Sequence, residues 1–224
     1  DHLGNKEDDD DKITALVMKD KKSGRLWGHR VECKGPADTW STAKIVKNLE
    51  SLGRRDIKLK ADGEPALVAV QSKVVGAREG ITVPVNPPAF DPRANGAIEK
   101  GVQDWNTFLR CLKLGLEEKI GCTVPAAAPV MEWMMQHAGC VHAKFQVGHD
   151  GKTPHKRGTG RAFGGVILEF GEQCWGQLAK RRTPTRRTKT GASKRKLIAR
   201  TMVGTYVGIV ERTGEHVLAG KNGR

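Results

Sequence analysis

The feature that most constrains the fold is a run of apolar residues at helical spacing between Asn95 and Ile120. Such spacing places the apolar side chains on one face of an α-helix. The sequence therefore predicts a long amphipathic helix over 95–120 that buries one continuous stripe. The stripe advances in steps of four, three, four, three and four residues and consists of Ile98, Val102, Trp105, Leu109, Leu112 and Leu116.

Two acidic residues are the candidate functional groups. Asp62 follows an alternating run over 57–61, which predicts a short strand that delivers a carboxylate to the edge of a sheet. Glu99 lies 37 positions later, in the first turn of the predicted helix. Carboxylates on rigid elements are suited to Mg²⁺, which prefers oxygen ligands and shares its shell with substrate phosphates. The alternative interpretation is that Glu99 only stabilises the positive end of its helix.

The charge balance favours a polyanionic partner. The chain has 224 residues with 39 Lys and Arg against 25 Asp and Glu, a formal charge of +14. This excess is typical of nucleic-acid-binding proteins. No apolar run approaches the ~20 residues of a transmembrane helix, so we expect no membrane partner.

The cysteines exclude the usual zinc modules. There are five cysteines, an odd number, and no pair has Cys-x-x-Cys spacing. Neither a disulfide framework nor a zinc ribbon is therefore expected. The protein is expected to work in a reducing compartment. His137, Cys140 and His142 lie close together, but on a helix they do not share one face, and we interpret them as packing residues.

Strands and helices alternate through the first two thirds of the chain. This order predicts an α/β domain over 1–147, in which a mixed sheet is flanked by helices. The predicted elements are strands over 13–18, 25–33, 57–61 and 81–85 and helices over 39–52, from 64, over 95–120 and over 129–145.

The character of the chain changes after Gly148. Residues 148–165 predict a linker, and 166–224 predict a small basic β module with strands at 166–170, 173–178 and 202–210. Within it, 180–196 contains nine Lys or Arg and no acid. We expect this run to bind phosphates without reading sequence. A nuclear-import signal and a solubilising loop are the other interpretations.

Several segments resemble the integrase core of long-terminal-repeat retrotransposons, most closely the copia type. Residues 94–100, Ala-Asn-Gly-Ala-Ile-Glu-Lys, are similar to the family motif Asn-Gly-x-x-Glu followed by a basic residue. Residues 60–66 are similar to the segment of its second Asp, and Asp1 stands 61 positions before Asp62, where the family has its first. Residues 151–155 and 203–208 resemble its later segments.

The resemblance implies an RNase H-like fold, a small C-terminal β-barrel-like module, and DNA integration. The implied activity is that of a metal-dependent polynucleotidyl transferase, which processes DNA 3′ ends and joins them to target DNA. Asp1, Asp62 and Glu99 would hold Mg²⁺ or Mn²⁺. The implied DNA contacts, for which a solvated surface is the alternative, are Gln103, Asn106, Arg110, Lys113, Lys180, Arg181, Arg182, Arg186 and Arg187.

The same resemblance implies self-association and a nuclear location, with a cytoplasmic particle stage, for a piece of a longer polyprotein. The strand expected to carry Asp1 would precede it in that polyprotein, and the family's zinc-binding domain is not among residues 1–224. The alternative is a catalytically inactive nucleic-acid-binding remnant of a retroelement. A ribosomal or chromatin-type basic protein would explain the charge but not the motif at 94–100.

Overall fold

The structure is a computed structural model that describes residues 13–32, 35, 38–86, 95–177 and 201–220. Strands and helices alternate through the first part, as the sequence predicts, and a strand-rich part closes the chain. The elements are β1 (Ala15–Lys19), β2 (Leu26–Arg30), α1 (Thr39–Glu50), β3 (Ile57–Lys60), α2 (Pro65–Ala77), β4 (Thr82–Val85), α3 (Gly96–Ile120), α4 (Val130–Phe145), α5 (Pro154–Thr159), β5 (Gln173–Gln177), β6 (Thr201–Ile209) and β7 (His216–Ala219).

The first four strands form two separate pairs that cover the same helices. β1 and β2 are antiparallel, with Met18 opposite Trp27, whereas β3 and β4 are parallel. Side chains from β1 and from β3 pack on one cluster contributed by α1 and α2, whose buried members are Ile45, Leu49, Val70 and Val74. The predicted α/β class with mixed strand directions is confirmed, but the described strands pair as two sheets rather than one.

Helices α3 and α4 pack against β2 at two glycines. The Trp105 indole from α3 lies directly over Gly28, at the position that a β-carbon would occupy. On α4, a β-carbon at Gly139 would stand 2.7 Å from the carbonyl oxygen of Leu26. Both helices therefore approach the strand more closely than larger residues permit. The predicted stripe of α3 faces this core, where Trp105 and Leu116 are buried.

The C-terminal strands form an open antiparallel sheet of order β5-β6-β7, and they close no barrel within the described ranges. β6 docks on α4, where the fully buried Tyr206 ring makes an edge contact with His137. The predicted strand over 166–170 is wrong. This stretch pairs with no described strand and is anchored instead by the buried Phe170 side chain, after which Gly171 turns the chain with φ of +82°.

The stretch predicted as a linker, 148–165, contains α5 and is tied to the first hairpin. Thr153 caps α5 by accepting a hydrogen bond from the Lys156 amide. The Arg157 guanidinium donates to Asp150 at 2.9 Å and to the carbonyl oxygen of Ser23 at 3.1 Å. The turn between β1 and β2 is therefore a contact point for a segment more than a hundred residues away.

Asp20 stabilises that turn, and its substitution gives a pH-dependent prediction. Burial alone would raise the pKa of Asp20, but hydrogen bonds from Arg54 and Ser23 outweigh it and lower the pKa from 3.8 to about 2. We expect Asp20→Asn to reduce the free energy of unfolding by about 2 kcal/mol at pH 7, because hydrogen bonds to a charged group are lost.

The pH dependence of this effect follows from the direction of the shift. A lowered pKa in the folded state stabilises the fold above pH 3.8, and that contribution disappears as the pH falls towards 2. Urea unfolding at pH 7 and near pH 3 measures the difference, with the exposed Asp56→Asn as control. Equal stability of Asp20→Asn and the unsubstituted chain at pH 7 would contradict the role assigned to Asp20.

None of the helices in the described ranges is both long enough and apolar enough to cross a membrane.

Candidate functional site

Asp62 lies two residues beyond the end of β3, where the sequence places it. β3 and β4 are parallel, so Asp62 stands at the carboxyl edge of this pair, the edge at which α/β proteins commonly bind ligands. Its side chain is exposed, and the amide of Gly63 donates to its Oδ1 at 2.8 Å. The strand thus presents a carboxylate to solvent in a defined orientation.

Asn95, at the start of α3, contacts this carboxylate. Its Nδ2 donates a hydrogen bond to Asp62 Oδ1 at 3.0 Å, across 33 residues of sequence. An Asn at a helix N-cap ordinarily uses its side-chain oxygen to accept from the first turn, and Asp38 does so for α1. Asn95 makes no such bond. The side chain that could cap α3 is directed to Asp62 instead.

Glu99 follows Asn95 by four residues and therefore lies on the same side of α3. Asn95 has helical backbone angles, and residues four apart in a helix have β-carbons about 6 Å apart. Both hydrogen bonds to Asp62 use Oδ1, and Oδ2 has no hydrogen-bond partner in the described part of the chain. The fold thus brings the segment around Asp62 to the helical turn that carries Glu99.

The first turn of α3 is held in place by β1 and β2. Lys19 Nζ, at the end of β1, donates to the carbonyl oxygen of Ala97 at 2.9 Å. A β-carbon at Gly101 would stand 2.9 Å from the Leu26 side chain, so the helix seats closely on the hairpin. Further along, Trp105 Nε1 donates to the Met135 carbonyl at 3.0 Å. These contacts fix the position of the first turn of α3, which includes Glu99.

The predicted DNA-contacting face of α3 is polar, and its residues differ in exposure and in ion pairing along the helix. Gln103 and Arg110 are exposed, whereas Asn106 is half-buried. Lys113 Nζ forms an ion pair with Glu117 at 3.1 Å, so its charge is partly neutralised. The amide of Val124 and then Lys113 lower the pKa of Glu117. Arg110 forms no ion pair with any described residue and is the more available cation.

The remaining predicted site residues lie outside the described residues. These are Asp1 and the basic residues Lys180, Arg181, Arg182, Arg186 and Arg187. In the described ranges no group of three or more His, Cys, Asp or Glu residues could hold a metal ion. Asp62 and Glu99 are both exposed carboxylates, the type of ligand that suits a hard divalent cation whose other ligands are water and phosphate.

Two contributions to this site are not predicted from the sequence. Sequence patterns assign Asn95 only to the opening of the helix, and they give Lys19 no role. The Asn-Gly pair within the motif over 94–100 is the sequence signal that could have indicated the role of Asn95. No pattern in the sequence indicates that Lys19 would reach Ala97, because that contact depends on how the hairpin packs against α3.

Comparison with known proteins finds integrase structures. The catalytic core domain of BIV integrase is similar over 66% of this chain and 86% of that chain, with 16% identity and a TM-score of 0.44. A chain of the simian T-cell lymphotropic virus intasome in complex with PP2A regulatory subunit B56 gamma is similar over 88% of this chain and 66% of that chain, with 14% identity and a TM-score of 0.49.

No protein-family model and no curated protein sequence matches this chain.

Proposed function

We propose that this chain is the catalytic part of a retrotransposon-type integrase, a metal-dependent polynucleotidyl transferase acting on DNA. The observation that supports it most is the hydrogen bond between Asn95 and Asp62. It joins the two segments, 60–66 and 94–100, that resemble the acidic motifs of one catalytic site. The contact places Asp62 beside the first turn of α3, the turn that carries Glu99.

Asp62 and Glu99 are the residues that would hold Mg²⁺ or Mn²⁺, together with Asp1. A bound divalent cation would polarise the target phosphate and stabilise charge that develops on its oxygens. The protein supplies the positions: the Asp62 carboxylate is oriented by Gly63 and Asn95, and the backbone that carries Glu99 is positioned by the seating of α3. Such precision matters because a displacement of ~1 Å can reduce a rate ~100-fold.

The proposed reaction has two balanced steps. Water attacks a phosphodiester near the DNA end, which breaks one phosphorus–oxygen bond and leaves a 3′-hydroxyl. That hydroxyl oxygen then forms a bond to phosphorus in the target strand and gives its proton to solvent, while the bond from that phosphorus to the target 3′ oxygen breaks and this oxygen takes up a proton to become a 3′-hydroxyl. Arg110, with Gln103 and Asn106 more loosely, would contact phosphates beside the site, since Arg110 is exposed and outside any described ion pair.

Several finer features belong to the same proposal. They are an RNase H-like sheet, a barrel-like C-terminal module, domain limits at 147 and 166, an assembly of more than one subunit, and action in the nucleus. The two strand pairs are compatible with a sheet of this kind, because side chains from β1 and from β3 pack on the same cluster of α1 and α2.

A joining assay tests the function. The full chain is incubated with Mg²⁺ or Mn²⁺, supercoiled plasmid and a pool of labelled oligonucleotides with free 3′-hydroxyls. We expect covalent transfer of label to the plasmid, which EDTA prevents. Tight, salt-sensitive DNA binding without any joining would favour the alternative, a catalytically inactive nucleic-acid-binding remnant.

The basic run 180–196 gives a separate prediction on DNA affinity. Each neutralised phosphate contributes a slope of about −0.9 to a plot of log affinity against log salt. Replacing Arg181, Arg182, Arg186 and Arg187 with alanine is therefore expected to flatten that slope by up to about 3 to 4. Titration of labelled duplex DNA by fluorescence anisotropy at several salt concentrations measures it. An unchanged slope would show that these arginines are solvated and do not contact DNA phosphates.

A further inference from the structure

One face of the C-terminal sheet carries an exposed tryptophan that the proposed site does not use. Trp175 in β5 is 75% exposed, and Val203, its cross-strand partner in β6, is 47% exposed. Residues directly opposite each other on paired strands share a face of the sheet, as do alternate residues along a strand. This face, called the Trp175 face, consists of Gln173, Trp175, Gln177, Thr201, Val203 and Thr205.

The opposite face of the same sheet is already occupied. There Gly176 and Gly204 leave room for the Leu218 side chain, and Tyr206 packs against His137 of α4. Tyr206 holds β6 to α4 through this opposite face, and at the far edge of the sheet Ala219 of β7, the partner of Thr205, packs on the core cluster of α3 and α4. At the β5 edge of the Trp175 face, Trp175 and Val203 stay exposed, and the indole ring belongs to no core cluster of the described residues.

The composition of the Trp175 face limits what it binds. Its apolar part is only Trp175 and Val203, which is far below the ~800 Å² per partner of a stable protein interface. Around them stand amide and hydroxyl groups, which both donate and accept hydrogen bonds. One large ring with neutral hydrogen-bonding groups on a flat sheet suits a nucleobase, which stacks by its face and is hydrogen-bonded by its edge.

The local charge is complementary to a nucleic acid. None of the six residues of the face is acidic, and Gln177 and Thr201 are paired at the strand ends from which 178–200 departs and returns. That connecting sequence contains ten Lys or Arg and no acid. The two strands of the face are therefore joined by a strongly basic sequence, which favours a ligand that combines planar rings with phosphates.

We propose that the Trp175 face binds unpaired nucleic acid by stacking a base on Trp175. In a duplex the base faces are covered by their neighbours, so a stacking platform selects a single strand or a displaced end. This inference goes beyond the proposed integrase function, since base stacking requires neither a divalent cation nor Glu99.

Fluorescence anisotropy with a labelled oligothymidylate of ~20 nucleotides and a blunt-ended duplex of two complementary strands with equal phosphate number tests the proposal, in EDTA so that no joining occurs. Trp175→Ala is expected to weaken binding of the single strand by about 5- to 100-fold, and to change duplex affinity less than about twofold. Trp175→Phe, which keeps a stacking ring, should retain most of the affinity. Trp133→Ala, which removes an exposed tryptophan of α4, is the matched control.

Unchanged single-strand affinity in Trp175→Ala would overturn the proposal, and so would an equal loss of affinity for the duplex. A loss accompanied by a change from dimer to monomer in sedimentation would assign the face to a second copy of the chain and overturn it as well. Stacking that persists in a chain without joining activity would support this inference while the integrase function failed.

Discussion

Replacement of Glu99 by glutamine is expected to reduce DNA joining about 1,000-fold or more, with DNA affinity little changed. Glutamine keeps the size and shape of the side chain but removes the negative charge that a divalent cation requires, and a loss of this size corresponds to about 4 kcal/mol of transition-state stabilisation. The position supports the expectation, because Glu99 lies one helical turn from the residue that contacts Asp62. Initial rates of label transfer to plasmid provide the measurement.

A control on the same helix distinguishes catalysis from helix stabilisation. Glu118 is exposed near the other end of α3, and Glu118→Gln should join DNA at the unsubstituted rate. If Glu99 serves only the helix dipole, its replacement costs up to ~1 kcal/mol of stability and leaves joining intact. Joining that survives Glu99→Gln would therefore end the assignment of this site.

The contact between Asn95 and Asp62 predicts an intermediate effect. Asn95→Ala removes the side chain that orients the carboxylate but retains both acids. Loss of a residue that orients a metal ligand commonly costs 10- to 100-fold in activity or metal affinity. We expect a decrease of about this size in joining, partly restored by a higher Mn²⁺ concentration. A rate equal to that of the unsubstituted chain would show that the hydrogen bond does not position Asp62.

Gly28→Ala is expected to have the largest effect on stability. The added methyl group would meet Cε2, Cζ2 and Nε1 of the rigid Trp105 indole, and Nε1 is also the atom that donates a hydrogen bond to the Met135 carbonyl. Neither β2 nor the ring can move without disturbing the α3–α4 packing. Overpacking of this kind costs about 3 kcal/mol, or roughly 6–12 °C in Tm for a chain of this length. Thermal unfolding followed by circular dichroism measures the shift.

Gly115→Ala is the matched control, since it makes the same chemical change on the helix that carries Trp105. Apart from its chain neighbours and the backbone of its own helix, nothing lies within 4 Å of the β-carbon it would add. Alanine in a helix interior is more favourable than glycine by roughly 0.5–1 kcal/mol, so this variant should be slightly more stable. A Gly28→Ala variant as stable as Gly115→Ala would mean that β2 and α3 are not packed as described.

The long helix and its buried stripe could be predicted closely from the sequence. Its apolar period is repeated over six positions, and the expected 95–120 differs from α3 at Gly96–Ile120 by one residue. That 166–170 forms no strand could not be predicted, because its residues are as apolar as those of a strand. Whether such a run pairs depends on a neighbouring strand being available, and in this fold Phe170 is buried in a side-chain cluster instead. β7 could not be predicted either, because only its pairing with β6 identifies it as a strand.

The sequence by itself determined the four longer helices, the positive charge and the motifs around Asp62 and Glu99, because periodicity and composition act over a few neighbouring residues. Only the tertiary structure decided that Asn95 gives its side chain to Asp62 rather than to its own helix, and that Trp105 covers Gly28. Both depend on residues more than thirty positions apart meeting at close range. Such meetings follow from how whole elements pack, which a local pattern does not encode.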